Sequence, residues 1–348
     1  MISIELKNNN FCMNPFAKGV PSVFVVSTPF QALCAIAAIN QLEIDDFLFL
    51  AHLPYGSTRN QSVVSFLESR SIEFKSFTLK GPLAFEINKL FATVPRNTRY
   101  KRVFVGNHFD AVGFLYASRF VSNGSPVVYL DDGDLSISLF QDRLIDRMNH
   151  KTKKLLGIIA RLRHFTLFQF FLTIYGGIIN SKYIIEKLDL CHSFKNTATN
   201  KCVSGVYILG TVLADLCQCC ECEEEYMKGK LEHIVSHIKA ENPTETVYFI
   251  PHGRDTGDYS RLLCDKYGCV YYDNTSMVEV MLMNEESTPH IVYGFTSSAL
   301  YSLKYLFPNA LVKNILLVPK TINDYYVELE GISKYYLDQG ITLIKVNL

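Results

Sequence analysis

Residues Pro126–Asp134 read PVVYLDDGD. Val127, Val128, Tyr129 and Leu130 form a short continuous apolar run, the signature of a strand buried on both faces. It breaks off into Asp131, Asp132, Gly133 and Asp134. In an open α/β sheet the carboxyl ends of the strands face the ligand crevice, so this strand delivers acidic groups to such a site. Carboxylates crowded together repel, which raises the pKa of at least one and makes it a candidate proton acceptor near neutrality. The same residues also fit a plain strand-to-helix turn, with Asp134 as N-cap and Gly133 supplying the unusual backbone angle.

The surrounding chain alternates strand and helix. Ser22–Ser27 (SVFVVS) is β-branched and aromatic, and Thr28 as N-cap with Pro29 at the first helical position opens the helix FQALCAIAAINQL. Strands are expected at Phe47–Leu50, Phe74–Leu79, Arg102–Val105, Val206–Leu209, Thr246–Ile250, Cys269–Tyr272, His290–Tyr293 and Val312–Val318, with helical stretches between them. That alternation predicts an α/β protein with two doubly wound, Rossmann-like domains, residues 1–205 and 206–348, facing across a cleft in the GT-B manner. A chain of 348 residues exceeds what one core supports, and an apolar fraction of 48% with 24 Phe and 20 Tyr is ample for two.

Lys plus Arg and Asp plus Glu both number 34, which argues against a nucleic-acid partner. The N-terminus shows no export signal and no apolar run reaches membrane-spanning length, so a cytoplasmic protein with its ten cysteines reduced is expected. Cys217, Cys219, Cys220 and Cys222 lack the spacing of a structural zinc site. One local excess stands out. Between Asp142 and His164 seven basic residues face two acidic ones, interleaved with Leu and Ile and followed by Phe165, Phe168, Phe170 and Phe171. This predicts peripheral contact with an anionic membrane; a helix pair with one solvated face is the plainer alternative.

Other strand ends also carry chemistry. Asn107 and His108 follow the fourth strand and are candidates for touching an acceptor. His252 and Arg254 follow VYFI and suit a phosphate. Glu279 is placed to accept from ribose hydroxyls, or to close a capping box with Ser276. Thr296, Ser297 and Ser298 put three hydroxyls at a helix start, an anion site in principle.

In that order, TPFQ (Thr28–Gln31), YLDDG, His252 after its strand and the G-x-T-S-S segment resemble bacterial sialyltransferases of the lipooligosaccharide type, glycosyltransferase family 52, and their polysialyltransferase relatives. The resemblance implies an inverting, metal-independent enzyme moving sialic acid from CMP-sialic acid to a terminal sugar of a glycan or glycolipid. By position it makes Asp132 or Asp131 the base, His252 the donor to the CMP phosphate, and Ser297 and Ser298 the phosphate cradle. The family's His-Pro pair is departed from here, since Gly253 follows His252. Two alternatives stay open: a metal-dependent transferase using Asp132, Gly133 and Asp134 as D-x-D, and a non-catalytic nucleotide or glycan binder.

Overall fold

The β-branched and aromatic runs become two wholly parallel sheets in a computed structural model of the chain, which describes residues 14–53, 60–78, 98–133, 136, 150–175, 183–190, 203–255, 257–272, 277–284 and 287–348. The first sheet comprises β1 (Ser22–Val26), β2 (Phe47–His52), β3 (Phe74–Phe77), β4 (Arg102–Val105), β5 (Val127–Tyr129), β6 (Phe170–Thr173) and β7 (Ile184–Lys187). Their spatial order is β3-β2-β1-β4-β5-β6-β7. The second comprises β8 (Val203–Leu209), β9 (Val247–Ile250), β10 (Val270–Tyr271), β11 (Ser287–Gly294), β12 (Leu311–Val318) and β13 (Thr342–Asn347), ordered β10-β9-β8-β11-β12-β13. In both sheets the order runs outward to the third strand and then returns to the other side of the first, the doubly wound order that opens a crevice at the strand ends beside the first strand.

The helices are α1 (Pro29–Gln41), α2 (Asn60–Ser69), α3 (Ala111–Ala117), α4 (His150–Arg163), α5 (Leu213–Cys220), α6 (Glu224–Glu241), α7 (Asp258–Tyr267), α8 (Val278–Asn284), α9 (Ser298–Leu306) and α10 (Asp324–Asp338). Residues Ala32–Ile39 of α1 are all buried, because this helix lies between its own sheet and the second domain. One apolar cluster runs from Phe24 and Ala35 to Leu282, Leu300 and Tyr301. Polar contacts pin the same junction: Tyr301 Oη donates to the Ile174 carbonyl (3.2 Å) and Tyr305 Oη to Asp189 Oδ1 (2.9 Å).

Several expectations are revised. The second sheet begins at Val203, so the division at 205/206 falls inside β8. The aromatic run after α4 is not surface: Phe165, Phe170 and Phe171 are buried, β6 takes the last two, and Phe168 stacks on Tyr129 at 4.8 Å. Cys219 and Cys220 turn into the second domain's core, and Glu221, at φ 50°, ends α5. The helix start expected at Asp134 and the basic residues Arg143 and Arg147 lie outside the described residues.

Candidate active site

The two central aspartates, adjacent in sequence, point to different places. Asp131 is 1% exposed and is held by the end of β6: Thr173 Oγ1 donates to Oδ1 and the Ile174 N–H to Oδ2, both at 2.6 Å. Burial pushes its pKa up to about 7, against the pull of those donors and of Ser136. With both oxygens engaged, Asp131 anchors the turn. Asp132 is part-exposed, and its Oδ1 accepts from Gln31 Nε2 at 2.5 Å. The orientation of that amide follows from its other end. Gln31 Oε1 accepts from the Ser27 N–H (2.8 Å), the Ser27 hydroxyl (3.1 Å) and the Thr28 N–H (3.3 Å), so only its N–H groups remain for Asp132.

Gln31 therefore does two jobs. With Thr28 it closes the capping box of α1, and it reaches 101 residues along the chain to orient a carboxylate. Its seat depends on Gly106, where a Cβ would lie 2.7 Å from Gln31 Cβ. Gly106→Ala is accordingly expected to displace Gln31 and lower turnover roughly 10²-fold, the scale for a displacement near 1 Å, while circular dichroism stays native. Turnover equal to that of the unmodified protein would show that Gln31 does not position Asp132.

Gly133, at φ +65°, brings the acidic turn against the second domain. A Cβ added there would lie 3.2 Å from Ser298 Oγ. The YLDDG turn thus touches the start of α9. Cys34, buried on α1, registers the same convergence: its thiol pKa is pushed up by burial and then by Asp131, Glu279 and Asp132.

The three hydroxyls expected to act together are divided by the backbone. Thr296 adopts φ 37°, gives its N–H to Asn314 Oδ1 (2.8 Å) and sets its hydroxyl 3.4 Å from Ser333 Oγ, so it is turned away from the site. Ser297 is the N-cap of α9, accepting from the Ala299 N–H at 3.3 Å. Ser298 is left as the hydroxyl at the domain junction. Glu279 is also turned inward: it is buried, accepts from Ser302 Oγ (2.6 Å), and has its pKa raised by burial, which does not suit a ribose contact.

His252 and Arg254 stand at the exit of β9 as expected. The Arg254 N–H donates to His252 Nδ1 (3.2 Å), and the Arg254 guanidinium pairs with Asp215 Oδ2 at 2.5 Å. Arg254 is thereby neutralised locally.

On the acceptor side the expectation for His108 is overturned. It is 2% exposed, its Nε2 donates to the Leu130 carbonyl at 2.6 Å, and burial lowers its pKa to about 4. It is a neutral brace behind the YLDD turn. Asn107 caps its own loop by accepting from the Phe109 N–H (2.9 Å). The histidine that does sit in a polar pair on this rim is His52, the last residue of β2. Its Nδ1 donates to Asp110 Oδ2 at 2.6 Å, and its ring lies flat on Phe77. Sequence reading passed over both His52 and the tertiary role of Gln31. A histidine closing a strand was the available signal for the first; nothing local pointed to the second.

No family model matches the chain, and no curated protein matches it. Among solved structures it is similar to MurG of Acinetobacter baumannii (12% identity, 94% of this chain and 86% of that one, TM-score 0.46). It is also similar to UDP-GlcNAc 2-epimerase of Neisseria meningitidis bound to UDP-GlcNAc (9%, 92% and 91%, TM-score 0.44). Anabaena HepE in complex with UDP and glucose is a third likeness (13%, 92% and 91%, TM-score 0.40).

Proposed function

We propose that the chain is an inverting glycosyltransferase that moves sialic acid from CMP-sialic acid to a hydroxyl of a terminal sugar on a glycan or glycolipid. The observation that carries this reading is the meeting of Asp132, oriented by Gln31, with the Ser298 start of α9 across Gly133. A base from one domain and an anion-binding helix start from the other are the two parts such a transfer needs.

In this reading Asp132 takes the proton of the acceptor hydroxyl as its oxygen attacks the anomeric carbon. The bond from that carbon to the CMP phosphate oxygen breaks, and CMP leaves with the electron pair. One displacement converts the β-linked donor to an α-sialoside. Ser298 and His252 meet the phosphate charge, and the dipole of α9 adds to them. Asp131 and His108 keep the turn in place from behind.

The donor is tested by thermal shift. At a hundredfold excess over Kd, CMP is expected to add ~2.7 kcal/mol of stability. UDP and GDP should add distinctly less. Equal shifts for all three overturn the CMP assignment while leaving a glycosyltransferase in place. Loss of turnover in EDTA would instead favour the metal-dependent alternative.

A further inference from the structure

We propose that helix α4 is a peripheral contact for an anionic lipid bilayer, made by Lys151, Lys154 and Arg161 around the aliphatic pair Ile158 and Leu162. At ~100° per residue these five positions fall on one stripe roughly 100° wide. The helix buries a different face: Leu156 and Ile159 enter the first domain's core beside α3, and Arg163 donates to the carbonyls of Ser118 (2.6 Å) and Val121 (2.5 Å). On the outer stripe Ile158 is 46% and Leu162 70% exposed, flanked by exposed Lys151, Lys154 and Arg161. Gly157 beside them has nothing within 4 Å of where a Cβ would stand.

Nothing within the helix balances its charge. The helix HKTKKLLGIIARLR contains no acidic residue, and lysines in its first turns oppose the helix dipole. Among the described residues, Lys151, Lys154 and Arg161 form no ion pair. Uncompensated cations alternating with exposed aliphatics match a surface that offers phosphate above and hydrocarbon below. A nucleic acid would use the cations and leave Ile158 and Leu162 in water.

The Gly124 N–H, just ahead of β5, donates to the Arg163 carbonyl at 2.9 Å, so the helix ends at the entry edge of the first sheet. Ile158 and Leu162 thus lie in the half of α4 nearer that edge, and Lys151 and Lys154 in the half away from it.

The test is co-sedimentation of the full chain with phosphatidylcholine vesicles, with and without phosphatidylglycerol. Binding is expected only with the anionic lipid and should weaken as salt is raised. Lys151→Gln/Lys154→Gln/Arg161→Gln should weaken it about 10²-fold, at roughly fivefold per cation. Ile158→Ser/Leu162→Ser should weaken vesicle binding roughly tenfold and leave heparin binding unchanged. All five residues are exposed, so both variants keep the native circular dichroism. No binding at low salt overturns the proposal, as does a serine variant that binds vesicles like the unmodified protein. Because the assay reads lipid binding and not transfer, its failure leaves the sialyltransferase reading standing.

Discussion

Asp132→Asn is expected to lower turnover by ~10²–10⁴, the range for loss of a general base, with CMP affinity little changed. Asparagine keeps the size of the side chain and keeps an oxygen for the Gln31 amide, so the hydrogen bond at 2.5 Å survives while basicity is lost. The effect should therefore fall on kcat, measured with labelled CMP-sialic acid, and not on the Kd for CMP, measured by calorimetry. His252→Ala separates the other side of the reaction. It should lower turnover and also weaken CMP binding, since a hydrogen bond to a charged group contributes roughly 1.5–3 kcal/mol. If Asp132→Asn turns over normally, the carboxylate is a turn residue and the reaction needs another base. His52, fixed by Asp110 with its Nδ1 as the donor, is then the next group on that rim to test.

How much of this was legible in the sequence follows from the range of the interactions. The sheets were readable because their strands are short, apolar and buried on both sides, as in Val103–Val105 and Val127–Tyr129. Phe170–Thr173 was missed for the same reason it is a good strand. A continuous apolar run has no period, and beside a basic helix it reads equally well as a membrane face. The cap at Thr28 was visible because its partner is three residues away. Partners far along the chain were not: Thr173 lies 42 residues from Asp131, and Gln31 lies 101 from Asp132. Those two contacts decide which aspartate faces the site. Likewise Thr296, Ser297 and Ser298 look equivalent in sequence, and only Asn314, from the next strand, and the left-handed φ at Thr296 separate them.

The division of labour between the aspartates gives a second large effect, on stability. Asp131 titrates near 7 in the folded protein against an ordinary value of 3.8, because burial disfavours its ionised form. With the folded pKa raised, the unfolded chain releases this proton first as pH rises. Its contribution is therefore complete below about pH 4, declines between pH 4 and 7, and is flat above, a loss on the order of 4 kcal/mol in all. Over the accessible window from pH 5 to 8 the unmodified protein should lose about 3 kcal/mol that Asp131→Asn does not. Asparagine is a fair replacement here. Its oxygen can accept from the Ile174 N–H, and its amide can donate to Thr173 Oγ1, a hydroxyl free to rotate. Urea unfolding of both proteins at pH 5 and 8 measures the difference, and titrations elsewhere cancel between them. Parallel profiles would mean that Asp131 does not titrate in this range. That outcome would mean that Thr173, Ile174 and Ser136 outweigh burial, holding Asp131 as a carboxylate behind Asp132 throughout the window.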